Sequence, residues 1–134
     1  MAGFAKEFQV RSYELDSLGH LNNAVFFSYL EEATWQALAD RGLPFRGFAQ
    51  LGWWPVVVHA ALDFHVELLP GDVVEVRGWP ESYGNTSMSL GYEIVRVSDG
   101  AKAASGRRVW VITLTGGGKI PVPQELREAL GEPC

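Results

Sequence analysis

Residues 24–40 read AVFFSYLEEATWQALAD. Phe26, Leu30, Ala33 and Ala37 recur along them at helical spacing, while Glu31, Glu32, Gln36 and Asp40 share one polar arc. Asn22 or Asn23 can cap the start, because a short side-chain oxygen satisfies an orphan amide, and Gly42 and Pro44 stop the run. A helix of about 17 residues is roughly 25 Å long. With Phe26, Phe27, Tyr29, Leu30 and Trp35 on it, it is too apolar for an isolated surface helix. Something must wrap around it.

The flanking segments supply the wrapping. Upstream, residues 4–13 (FAKEFQVRSY) alternate around Phe4, Phe8, Val10 and Ser12, as expected of a first strand with one wet face. Downstream of a loop containing Pro44 and Gly47, strands are expected at 54–68, 73–79, 86–97 and 103–115. Turn signals at Pro70-Gly71-Asp72, Ser82-Tyr83-Gly84-Asn85 and Ser98-Asp99-Gly100 suit long antiparallel hairpins. No βαβ alternation is present, which argues against a parallel sheet. After the glycine run at Gly116–Gly118, the tail carries two prolines and a short amphipathic QELREAL helical turn, expected at the surface. The order is strand, helix, four strands: an α+β chain in which one strongly curved, five-stranded antiparallel sheet encloses one long central helix. Residues 1–134 read as one domain. A single sheet cannot cover both ends and both edges of such a helix, so a dimer is expected.

Composition agrees with a packed protein: 47% of residues are hydrophobic, 12% aromatic and 20% charged, which argues against disorder. A formal charge of −5 disfavours a nucleic-acid surface, which needs a basic stripe to neutralise phosphates. No signal sequence or membrane-length apolar stretch is evident, so a soluble cytoplasmic protein without membrane association is expected. The single cysteine, Cys134, has no second thiol to pair with and reads as an incidental tail residue.

Chemistry concentrates in Asp16-Ser17-Leu18-Gly19-His20-Leu21-Asn22-Asn23, between the first strand and the helix. A helix N-terminus offers unpaired amides and roughly half a positive charge, suited to stabilising a developing oxyanion. If Gly19 folds the loop back, the Asp16 carboxylate can face a carbonyl carbon whose oxygen those amides, near Asn23, already hold. The plainer alternative is that Asp16 forms an Asx-turn and Asn22 and Asn23 only cap the helix. His20 can orient substrate or assist proton transfer, the plainer alternative being a hydrogen-bonded structural residue of the loop. Glu31 and Glu32 lie on the polar arc and read as solvated or subunit-facing. His59 and His65 share a strand face but are too far apart to chelate together, and no metal site is expected. Trp53 and Trp54 read as core or interface aromatics rather than ligand-stacking ones, and Arg107, Arg108 and Lys119, which could meet substrate phosphates, read more simply as solvated cations. Gly116-Gly117-Gly118-Lys119 lacks phosphate-loop spacing.

The stretch from Tyr13 through Asp16, Gly19, His20, Asn22, Asn23 and Tyr29 to Glu32 resembles the motif of the 4-hydroxybenzoyl-CoA thioesterase-like, hotdog-fold family. Asp63-Phe64, Pro70-Gly71-Asp72 and Gly84-Asn85-Thr86-Ser87 resemble its later landmarks. The resemblance implies a hotdog-fold acyl-CoA thioesterase in which Asp16 attacks the thioester or activates water, an amide near Asn23 polarises the carbonyl, and His20 assists. It further implies substrate contacts from Gly19, Asn22, Phe26, Phe27 and Trp54, and no cofactor beyond the coenzyme A of the substrate. Two sheets would join edge to edge with sites at the boundary, as a homodimer or a tetramer of two dimers. Plant acyl-carrier-protein thioesterases look similar through the same Asp, His and Asn-Asn positions, but an asparagine of their site is replaced here by Leu18. A hotdog hydratase or dehydratase is disfavoured by the absence of its Gly-Asp-x-Asn-Pro-x-x-His pattern, and a binding module without turnover by the retained Asp16.

Overall fold

The computed structural model describes residues 3–133; Cys134 lies outside the described residues. The chain runs through β1 (Phe4–Gln9), a 3-10 turn (Ser12–Glu14), α1 (Asn23–Asp40), α2 (Phe45–Leu51), β2 (Trp53–Phe64), β3 (Val73–Tyr83), β4 (Ser87–Arg96), β5 (Lys102–Leu114) and α3 (Gln124–Leu130). The five strands form one antiparallel sheet in the order β1-β3-β4-β5-β2. The α+β architecture expected from the sequence is therefore present, with β1 and β2 as the sheet edges.

The sheet binds α1 through the two-residue alternation of its strands. Val74 and Val76 of β3, Met88, Leu90, Tyr92 and Ile94 of β4, and Trp110 and Ile112 of β5 share one core with Phe26, Tyr29, Leu30, Ala33 and Leu38 of α1. Leu30 and Leu38 are completely buried; each such side chain stabilises the fold by about 1.5–3 kcal/mol relative to exposure.

Several boundaries differ from the sequence expectation. The first strand stops at Gln9 because the chain turns at Arg11–Glu14, where the Glu14 carboxylate accepts the Arg11 amide at 2.9 Å. The expected loop after Pro44 is instead α2. Phe45 and Phe48 pack edge-on against Trp35, with ring centroids 5.2 and 4.9 Å away, and that packing outweighs the poor helix propensity of Gly47. The strand expected to reach Leu68 ends at Phe64. Beyond it, the Leu68 carbonyl leaves the sheet and accepts the Leu21 amide. β3 continues past residue 79 to Tyr83, and a register shift between Pro80 and Ser82 accommodates the proline. The tail helix α3 is no surface appendage: Leu126 and Leu130 are fully buried, and Arg41 donates to the Ala129 carbonyl at 2.8 Å. Among the described residues, no helix is long and apolar enough to cross a membrane.

Candidate active site

The loop between the 3-10 turn and α1 folds back on itself. Leu15 and Leu21 form an isolated antiparallel bridge. The Asp16 amide donates to the His20 carbonyl at 2.8 Å, and the Gly19 amide to the Asp16 carbonyl at 3.2 Å. Gly19 makes the reversal at φ +81°, a conformation that residues with a Cβ adopt only at a cost. Two further bonds anchor the loop: Leu21 N–H to the Leu68 carbonyl at 2.8 Å, and Asn22 N–H to the Glu14 carbonyl at 2.9 Å.

This fold divides the labour of the Asp16 carboxylate. Its Oδ1 accepts the Leu18 amide at 2.9 Å and the His20 amide at 3.2 Å, which is the local turn anticipated as the plainer alternative. Its Oδ2 accepts no hydrogen bond from the described residues. One oxygen is held and the other is available. Asn22 is the N-cap of α1, accepting the Ala24 amide at 2.9 Å, and the Asn23 side chain reaches the same amide at 3.0 Å. The amide of Asn23 itself finds no acceptor among the described residues, so a donor is left at the positive end of an 18-residue helix.

Asp16, His20, Asn23 and Phe26 line one cleft of about 390 Å³, together with Leu18, Leu21, Phe64, His65, Val66 and Glu67. Phe64 packs edge-on against Phe26, centroids 5.0 Å apart, and supplies apolar wall. His20 Nε2 lies 3.1 Å from Glu67 Oε2, and His65 Nε2 shares a 2.9 Å hydrogen bond with Ser105 Oγ. Of the other residues singled out from sequence, Gly19 makes the turn, Asn22 caps the helix, and Phe27 is half-buried against the core. Trp54 is not part of this cleft within one chain; it lines a separate hollow of about 280 Å³ with Thr113–Gly117. Phe64, a landmark of the resemblance, and His65, weighed only as a metal ligand, were not expected in the cleft, nor were Val66 and Glu67, because the strand was expected to continue through them. The only local signal is the polar pair His65 and Glu67 interrupting an apolar run.

The cation expected to be solvated at position 108 is buried. Arg108 is only 4% exposed. It donates to Glu31 Oε1 at 2.6 Å, to the Tyr92 hydroxyl at 3.0 Å and to Thr34 Oγ1 at 3.2 Å. Glu31 is accordingly tied to the sheet rather than merely solvated. Burial pushes the Tyr92 hydroxyl up, so it stays neutral beside the guanidinium. Glu32 instead accepts from Gln36 at 3.0 Å on the surface of α1. His59 and His65 are not brought together: His59 sits within the β2 ladder opposite Val109, whereas His65 lies just past the end of that strand. Among the described residues, no three His, Cys, Asp or Glu side chains are grouped to hold a metal ion.

A larger hollow, about 600 Å³, lies between the end of α1 and α3, lined by Arg41–Leu43, Glu125 and Glu128–Gly131. Its carboxylates, Glu125 and Glu128, belong to the seven-residue α3, and it adjoins the C-terminal rather than the N-terminal end of the long helix α1, so chemistry rather than volume selects the smaller cleft.

The Thioesterase-like superfamily matches residues 10–130 of the chain. A curated protein of Aquifex aeolicus (strain VF5), named provisionally as an esterase, is 25% identical over 122 residues, which are 91% of this chain and 93% of that protein. A 1,4-dihydroxy-2-naphthoyl-CoA thioesterase from Synechocystis is similar in structure with a TM-score of 0.88 at 23% identity, covering 96% of this chain and 95% of that one. A DHNA-CoA thioesterase from Staphylococcus aureus has a TM-score of 0.87 at 19% identity, covering 96% and 89%. At such identities the superpositions establish a shared fold.

Proposed function

This chain belongs to the thioesterase-like superfamily, and from that premise we propose that it hydrolyses an acyl-CoA thioester to a free acid and a thiol at the Asp16 cleft. The observation that carries the proposal is the juxtaposition of a carboxylate with one unengaged oxygen and a helix-terminal amide without an acceptor, both lining one cleft. A thioester carbonyl seated there would place its oxygen on the Asn23 N–H, where negative charge develops during attack. Asp16 Oδ2 then acts either as nucleophile or as general base toward water. In the general-base form, water loses a proton to Oδ2 and adds to the carbonyl carbon. The tetrahedral oxyanion reforms the carbonyl as the C–S bond breaks, and the thiolate recovers the proton.

Phe26 and Phe64 would receive the acyl group, and His20, oriented by Glu67, would border the reacting centre. The cleft would also be shared between two copies of the chain. β2 is a sheet edge on which Val57, Val58 and Phe64 are exposed, a surface that favours strand pairing with a second copy. A two-fold pairing of β2 with its copy runs antiparallel, laying the Trp54 end of one strand beside the Phe64 end of the other. Trp54 would join the site in that way.

The deciding experiment follows free thiol while the purified protein is incubated with aliphatic and aromatic acyl-CoAs. Thiol release is expected for at least one of them, with kcat reduced about 100-fold or more in Asp16→Asn. Tight retention of acyl-CoA without thiol release would favour a binding module. Near-parental turnover in Asp16→Asn would remove Asp16 from the chemistry.

A further inference from the structure

The residue immediately before the Asp16 loop holds both the loop and the helix. Glu14 ends the 3-10 turn, and its side chain is only 10% exposed. Its Oε1 accepts the Tyr29 hydroxyl at 2.6 Å and the Arg11 amide at 2.9 Å, while Oε2 meets Arg11 Nη1 at 3.3 Å. The backbone carbonyl of the same residue accepts the amide of Asn22, the cap of α1, at 2.9 Å. Tyr29 is buried about two turns into α1, stacked on Phe8 with centroids 5.1 Å apart and planes 10° from parallel. Burial first, and then the bond to Glu14, push the Tyr29 hydroxyl up, so it remains a donor at any ordinary pH.

Asp16 follows Glu14 by two residues, and Asn23 follows Asn22 by one. The separation between the carboxylate and the helix-terminal amide therefore depends on how the 3-10 turn docks on α1, as well as on the loop's own Leu15–Leu21 bridge. Two independent linkages through Glu14 fix that docking: its carbonyl to the cap, and its carboxylate to the second turn of the helix. We propose that Glu14 and Tyr29 are positioning residues that hold the Asp16 carboxylate at working distance from the Asn23 amide. Neither lines the Asp16 cleft; both line a separate polar hollow with Glu7, Gln9, Arg11, Glu32 and Gln36. They act through Asp16, and the inference rests on the thioesterase reading of that residue. A misplacement of about 1 Å is enough to lower the rate by up to about 100-fold at such a site.

The test is steady-state thioesterase kinetics on Tyr29→Phe, Asp16→Asn and the double variant, with folding checked by circular dichroism. Tyr29→Phe keeps the ring stacked on Phe8 and removes only the hydroxyl, so kcat is expected to fall about 10-fold with KM within about twofold. Added to Asp16→Asn, the same change should alter the residual rate by less than about twofold, because the residue it positions is already disabled. A folded Tyr29→Phe with parental kcat, or an equal loss in both backgrounds, would overturn the proposal. Should Tyr29→Phe fail to fold, the Glu14 pair decides. Gln retains a single Oε1 able to accept both Tyr29 and the Arg11 amide, so Glu14→Gln should stay within about threefold of parent while Glu14→Ala loses about 10-fold in kcat. Equal kcat in those two variants would overturn it. Full turnover in Asp16→Asn ends the site and its positioning together, whereas a disabled Asp16→Asn beside a normal Tyr29→Phe ends the positioning role alone.

Discussion

Asn22 and Asn23 show how closely capping and chemistry are interleaved at single residues. Both side-chain oxygens reach the Ala24 amide, at 2.9 and 3.0 Å, so either can serve the donor if the other is removed. Asn22→Ala is therefore expected to cost only about 0.5–1 kcal/mol, the low end for loss of an N-cap, read from chemical denaturation; a loss above 2 kcal/mol would show that Asn23 does not substitute. The residue types at this site were legible in sequence: a carboxylate, a glycine, and short amides ahead of an apolar helix. Which oxygen of Asp16 is free was not. It depends on the Leu18 and His20 amides turning inward, which no spacing rule reports. Arg108 was misjudged for a related reason. A lone arginine in a strand is ordinarily solvated, and only the convergence of Glu31, Thr34 and Tyr92 from two other elements makes its burial tolerable.

Among the elements, α1 and the strands announce themselves through long hydrophobic periods, whereas the two short helices depend on what they meet. α2 exists because Trp35 receives Phe45 and Phe48, and α3 because the core takes Leu126 and Leu130. A seven-residue helix has too few backbone bonds to persist alone, so its own sequence is a poor witness. α3 is also tied at its end by Tyr83, whose hydroxyl donates to the Gly131 carbonyl at 2.7 Å while the Arg127 guanidinium lies 4.6 Å over the ring. Burial, and then the negative charge of Glu132, push this hydroxyl up from 10.0 to about 12. A raised folded-state value means that the folded chain keeps the proton after the unfolded chain has lost it. The associated stability is whole below pH 10.0 and is lost as pH climbs to about 12. Melting temperatures across that range should fall less steeply in Tyr83→Phe than in the parent. The slope will not vanish, because Tyr29 and Tyr92 are shifted in the same direction.

For the molecule as a whole, the open question in the sheet is its β2 edge. Val58 is 57% exposed beside the register shift in that strand, and a charge there should block pairing with a second copy. Sedimentation velocity is expected to show a dimeric parent and a monomeric Val58→Lys, with thioesterase activity falling alongside if the cleft is shared. A monomeric parent at micromolar concentration would reject the edge-to-edge assembly. The sequence by itself determined the fold class, the strand order along the chain, the central helix and the stretch that carries the candidate chemistry, because each is written in local periodicity or in contiguous residues. Only the tertiary structure decided that Phe64, His65 and Glu67 stand across a cleft from Asp16 and that Arg108 lies buried under α1. It alone also decided that Trp54 lies apart from that cleft within one chain. Those relations join residues distant along the chain through the antiparallel ladder and the packing of α1 on it, and a one-dimensional pattern carries no term for such distances.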